Sequence, residues 1–166
     1  MKKLILASML LASSQMAMAV NWVYIGQDNR SFLGMTQNNE MVYGTIHSYI
    51  DKDSILIKKI PNGSPYISVW VNTRYQKPFF GIPRYEMEVY QFKSIIYFDC
   101  NKRSVATGYM SAYDKNGHLI TPNSLDFIVR NNNLLKSDFV PNDWKKVVPD
   151  TITEKELNTV CSWVKQ

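Results

Sequence analysis

Two cysteines, Cys100 and Cys161, restrict the fold of this chain more than any other feature. Cys100 closes a long strand-like run, Glu88 to Cys100. Cys161 lies where Leu157, Val160, Cys161 and Val164 recur at i, i+3, i+4 and i+7, which is one face of an α-helix. A bond between the two would tie a C-terminal helix, through its apolar face, onto one face of an antiparallel sheet. Ile96 and Phe98 share strand parity with Cys100, so they are expected to point at that helix. An internal disulfide is the economical reading of two cysteines in an oxidising compartment. Two free thiols and an intermolecular bridge are its rivals. The loop it would close is about 60 residues long, enough to stabilise the fold by roughly 4 kcal/mol. The two cysteines are not in a C-x-x-C pair, which argues against a thioredoxin-like redox role.

The compartment follows from the first residues. Met1-Lys2-Lys3 is a basic end, Leu4 to Ala12 an apolar stretch, and Ala17-Met18-Ala19 a small-x-small cleavage site. Together they read as a secretory signal peptide over residues 1–19. The apolar stretch is about half of the ~20 residues needed to span a bilayer, and Ser13, Ser14 and Gln15 interrupt it. The mature domain is expected to run from Val20 to Gln166, residues 20–166, as one soluble unit with its own core. Residues 1–30 hold no Cys, so no lipid-anchored N-terminal Cys is expected. The expected location is periplasmic or secreted, with no membrane span.

Most of the mature sequence reads as strand. Candidate runs are 21–26, 31–36, 43–50, 54–60, 66–75, 88–100 and 103–113. Asp51-Lys52-Asp53 suits a tight hairpin turn between the third and fourth, since Asp bonds its own backbone. In the fifth, Ile67, Val69 and Val71 fall on one face and Tyr66, Ser68 and Trp70 on the other. Residues 78–83 read as a loop, and Asp114-Lys115-Asn116-Gly117 as a turn with glycine available for a left-handed position. Between Pro122 and Pro149 short helical turns are placed around Leu125 or Leu134. The terminal helix is expected to start between 151 and 154. Thr153 is the preferred N-cap, with Glu156 completing a capping box and Ile152 and Leu157 as a staple. Thr151 with Glu154 is the alternative box. The fold class is therefore α+β: a single antiparallel sheet of about six strands with a C-terminal helix packed on one face and tied by a disulfide.

No catalytic constellation emerges. His47 and His118 sit in different segments without metal-ligand spacing. His118 follows a turn and reads as exposed; His47 shares parity with Tyr43, Thr45 and Tyr49, as a surface strand residue does. Glu86 and Glu88 would share a face in a strand, but two solvated carboxylates is the simpler reading than a glycosidase pair. Ser162-Trp163-Val164-Lys165 spells S-x-x-K without its partner motifs and reads as chance. Asp99 is opposite in parity to Cys100 and faces away from the helix. No enzyme activity, cofactor or metal is expected.

Without Lys2 and Lys3 the chain keeps 17 basic and 14 acidic residues. The basic residues come in pairs, Lys58-Lys59, Lys102-Arg103 and Lys145-Lys146, which read as solvated faces. They form no stripe, so no nucleic-acid partner is expected. Aromatic residues are the more suggestive feature: Trp22, Tyr24, Tyr43, Tyr49, Tyr66, Trp70, Tyr75, Tyr90, Tyr97, Tyr109 and Tyr113 fall on or near strands. On a sheet face left free by the helix they would make a binding or dimer surface; otherwise they fill the core.

The segment Ile96-Tyr97-Phe98-Asp99-Cys100-Asn101-Lys102-Arg103, then Tyr113-Asp114-Lys115-Asn116-Gly117, resembles the surface-adhesin protein E family of Gram-negative bacteria. Tyr49-Ile50-Asp51, Trp70-Val71, Trp144, Pro149 and the late Cys161 extend the resemblance over most of the mature chain. It implies a single antiparallel sheet, a terminal helix held by the Cys100–Cys161 disulfide, a tendency to form homodimers, and a virulence-related role in adhesion to host extracellular-matrix or plasma proteins. The best-known members are surface lipoproteins. A periplasmic inhibitor or envelope assembly factor is the alternative. The resemblance designates no ligand-binding residue.

Overall fold

The computed structural model describes residues 20–36, 38–59, 63–79, 88–120, 141 and 143–164. Among these residues eight antiparallel strands form one sheet: β1 (Trp22–Met35), β2 (Met41–Asp51), β3 (Leu56–Lys59), β4 (Pro65–Phe79), β5 (Val89–Asp99), β6 (Ser104–Tyr113), β7 (Leu119–Ile120) and β8 (Lys145–Lys146). Among the described residues one helix, α1 (Ile152–Val164), follows. Six strands make a continuous path, β1-β2-β4-β5-β6-β7, bent into a half-barrel. The short strands β3 and β8 fill the remaining edges of β4 and β6.

The helix lies on one face for the reason its spacing gives. Leu157 and Val160 are fully buried, in one cluster with Ile50, Ile67, Val69, Val71 and Phe98. Ile96, Cys100, Cys161 and Val164 pack around it. Burying each such side chain is worth about 1.5–3 kcal/mol. Cys100 and Cys161 are bonded, with Cα atoms 5.8 Å apart. Arg103, at the turn after β5, adds an ion pair to Glu154 and a hydrogen bond to Asn158. A second cluster on the same sheet face, Val89, Phe92 and Ala112, gathers Tyr75 and Phe79.

Four expectations need correction. Residues 21–36 are not two strands: β1 runs unbroken, and Asp28 accepts from Arg30 N and Ser31 Oγ inside it. The register slips at three places, so these polar residues make bulges rather than an end. Asp51-Lys52-Asp53 does not form a hairpin. It is a 3-10 turn capped by Asp51, and β2 and β3 both pair with the same edge of β4, end to end. Ser54 Oγ holds this arrangement, donating to Asp51 O and accepting from Trp70 N. Pro78 is not in a loop but in β4. Across a register irregularity Phe79 pairs with Val89, and its ring meets Tyr75 at a tilt and Phe92 edge to face.

The fourth correction concerns the helix start. Thr151, not Thr153, is the cap: its Oγ1 accepts from Glu154 N at 3.2 Å, and Glu154 Oε2 accepts from Asp150 N. Glu156 is therefore free of the cap and turns inward. The residue is 6% exposed, and its carboxyl takes a 2.5 Å hydrogen bond from Ser48 Oγ on β2. Burial pushes its pKa up to about 7, against a smaller opposing effect of the Ser48 bond. The same carboxyl raises the Tyr75 phenol further, beyond what burial does. The helical turns expected around Leu125 and Leu134 lie outside the described residues.

Two predictions follow from this packing. The double variant Cys100→Ala/Cys161→Ala should lose about 4 kcal/mol, some 10 °C of Tm for a chain of this size. An unchanged Tm would show that the bond restrains nothing. Glu156 predicts a pH dependence. The folded state holds the proton to about pH 7 and the unfolded chain only to about 4.5. The folded state thus binds more protons between those values, and stability falls as pH rises through that window, by up to about 3 kcal/mol. In urea titrations Glu156→Gln should remove this slope and be the more stable form at pH 8.

Candidate binding face

The alternation of each strand divides the side chains between the helix face and the far face. On β4, Ile67, Val69 and Val71 go to the helix core, while Tyr66 joins a separate cluster. Cross-strand partners share a face, so the register carries this division along the sheet. Tyr49 stands opposite Asn72, His47 opposite Arg74, Lys93 opposite Asn72, and Gln91 opposite both Arg74 and Tyr113.

Part of the far face is covered. Tyr66, Tyr97 and Ala106 are buried, with Ile95 and Trp144 against them. Trp144 makes an edge contact with Tyr66 and donates from its indole nitrogen to Pro141 O. Gly108 is required here, since a Cβ would lie 2.7 Å from the Tyr97 ring. Burial raises both tyrosine pKa values. These aromatics are core.

The rest of the far face is open. Along β1 and β2, Tyr24, Phe32, Met35, Met41 and Tyr43 are 44–64% exposed. Phe32 meets Tyr43 edge to face, Met35 stands opposite Met41, and Tyr43 Oη donates to Met41 Sδ. At the other end of the same ladder Tyr24 packs against Tyr49 and His47. Further in, the Arg74 guanidinium lies 5.0 Å from the Tyr49 ring centroid, and the Lys93 ammonium 4.8 Å from that of Tyr113. Trp70 meets Tyr109 edge-on. Such pairs hold a cation against a ring without neutralising it.

The structure places the other candidate residues as follows. His47 is a half-buried strand residue whose Nδ1 is 3.5 Å from Tyr24 Oη. His118 is exposed and pairs with Asp114 at 3.2 Å. The His118 backbone N–H is the main cause that lowers the pKa of Asp114, with the His118 ring and Asn116 N adding to it. Glu88 is exposed and accepts from Tyr90 Oη; Glu86 lies outside the described residues. Ser162 donates back to Thr159 O within its helix. Asp99 is buried, accepts from Lys102 N and pairs with Lys102 Nζ, which gives it a turn-closing role. Among the described residues no three His, Cys, Asp or Glu side chains group as metal ligands, and no helix is long and apolar enough to cross a membrane.

The sequence reading missed Arg74 and Lys93. Part of the signal was available: each is a cation within a strand run, two residues from Asn72 or Gln91, while its tyrosine neighbours on adjoining strands come from the pairing alone.

Comparison with known proteins gives one match. The family model for surface-adhesin protein E matches residues 39–162, from the start of β2 through the terminal helix and both cysteines. No curated protein and no solved structure matches the chain. The family, like the disulfide, is consistent with an exported protein and points to protein binding rather than catalysis. With a half-barrel sheet, a terminal helix bonded to β5 and a family match over three quarters of its length, the chain belongs to the surface-adhesin protein E family.

Proposed function

We propose that this is an exported, non-enzymatic protein that binds host extracellular-matrix or plasma proteins through the open far face of β1 and β2. In this reading residues 1–19 are a cleaved signal, and residues 20–166 form the mature domain. The observation that carries it is the group of exposed apolar side chains, Tyr24, Phe32, Met35, Met41 and Tyr43. Apolar groups of this kind on a regular sheet face mark interaction sites, and aromatic side chains with a polar tip are favoured anchors in protein interfaces. Family membership supports adhesion as the use of that surface. The same surface suits a homodimer, which would cover it.

The test uses the purified mature domain. Binding to immobilised laminin, vitronectin and plasminogen should be saturable near physiological salt for at least one of them. Phe32→Ala/Tyr43→Ala should weaken it about 30-fold, the loss expected for one hot spot of ~2 kcal/mol, with an unchanged far-UV spectrum. Absence of saturable binding to all three overturns the reading. So does fractionation that finds the protein only in the periplasm, which would favour an inhibitor or assembly factor. Sedimentation at rising concentration reports the dimer, and the same double variant should weaken it.

A further inference from the structure

We propose that the far face of β2, β4 and β5 binds an extended acidic segment of a partner protein, with separate carboxylates on Arg74 and Lys93. This rests on the protein-binding reading above and supplies the chemistry of the partner.

Arg74 is exposed on β4, and Lys93 is half-buried on the neighbouring strand β5. Lys93 stands opposite Asn72, and Arg74 opposite Gln91. The two cations are therefore diagonal neighbours on one face, about 7–8 Å apart at the backbone. Between them Gln91 Nε2 donates to Asn72 Oδ1 at 2.8 Å, so the intervening amides are locked together. His47 flanks Arg74 across the ladder. No carboxylate of the described residues forms an ion pair with Arg74 or Lys93. The far-face positions around them on β4, β5 and β6 carry no Asp or Glu between Trp70 and Arg74, Gln91 and Tyr97, or Tyr109 and Tyr113. Each cation is held over a tyrosine ring, which fixes its position and leaves its charge to be met from outside.

The hollow beside Arg74 has a volume of about 480 Å³ and is lined by Tyr90, Gln91 and the 114–117 turn. Asp114 is among its lining residues, with its carboxylate accepting from Asn116 N, His118 N and the His118 ring within its own turn, and Lys115 adds a cation to the same wall. The open space thus lies beside the Arg74 and Gln91 side chains.

Charge and spacing choose the occupant. In an extended peptide, side chains on one side recur about every 6.5–7 Å, so its carboxylates can meet separate points; Arg74 leans over Tyr49 on β2 and Lys93 over Tyr113 on β6, which parts the two charges by more than the backbone diagonal. Two separated cations fit two separated carboxylates; one phosphate would call for cations converging on a point. The ring faces of Tyr49 and Tyr113 are already covered by the cations, which removes them as stacking platforms for a sugar.

The probe is a fluorescein-labelled twelve-residue peptide alternating Glu and Thr, with a Gln/Thr peptide as its uncharged counterpart. Fluorescence anisotropy with the mature domain should show saturable binding of the Glu peptide, weakened at least ~5-fold between 50 and 150 mM NaCl, and none of the Gln peptide. Arg74→Gln and Lys93→Gln should each cost ~3–5-fold, and the double variant ~10-fold or more. Arg74→Lys should stay within about 3-fold, and Lys59→Gln, the same charge change at another exposed position, should have no effect. Equal binding of both peptides, or a double variant that binds like wild type, overturns the proposal. So does heparin binding that depends on Arg74 and Lys93 while peptide binding does not; that would assign the face to a sulphated polysaccharide. The two readings fail separately. Peptide binding without any host-protein binding ends the adhesion reading alone, and host-protein binding unchanged in Arg74→Gln/Lys93→Gln ends this one alone.

Discussion

The contact between the terminal helix and the middle of the sheet governs how the two faces are used. Leu157 and Val160 meet Ile50, Val69, Val71 and Phe98, and the Cys100–Cys161 bond joins the end of β5 to the helix. A 13-residue helix is marginal alone in water. It persists here because its apolar stripe is buried and its covalent tie shortens the unfolded chain's freedom. Once one face of the half-barrel is filled this way, the side chains of opposite parity must find another use. Those near Trp144 become a small second core. Those on β1, β2 and the centre of β4 and β5 remain in reach of a partner.

Glu156 shows the cost of that packing. A carboxyl on the helix is carried into the sheet interface because Leu157 and Val160 set the helix rotation. Ser48 and nearby Tyr75 supply polar company but no cation pairs with it among the described residues. Holding the proton is the cheaper state, as expected for a buried carboxyl. The Arg103–Glu154 pair at the exposed edge acts differently: it is open to solvent and orients the first helical turn more than it stabilises it.

Much of this was legible from residues. The i, i+3, i+4, i+7 spacing located the helix face, and parity with Cys100 put Ile96 and Phe98 under it. Alternation in 66–75 separated Ile67, Val69 and Val71 from Tyr66. What escaped were features decided by non-local contacts. Asp28 looks like a strand end, but pairing with β2 carries β1 through it as a bulge. Asp51-Lys52-Asp53 looks like a hairpin turn, yet Ser54 bonded to Trp70 N steers β3 along the same edge of β4. Locally Thr153 is a better cap than Thr151, since it alone brings an apolar staple, Ile152 with Leu157. The choice between them depends on Ser48, 108 residues from Glu156, which no local pattern contains. The aromatic residues were legible as a group, but their division into core and surface needed the register.

The open face then combines two chemistries that serve different ends. Exposed aromatic and thioether groups on β1 and β2 offer contact area that is non-directional and tolerant of the partner's shape. Arg74 and Lys93 would offer direction: their backbones are paired diagonally by the β4–β5 register, and their charged ends are laid over Tyr49 and Tyr113 on the strands outside it. A cation free to swing would lose side-chain entropy on binding, whereas one already laid on a ring has less to lose. Affinity from the apolar end and selectivity from the charged centre can therefore be altered by substitutions at separate positions, because no residue belongs to both groups.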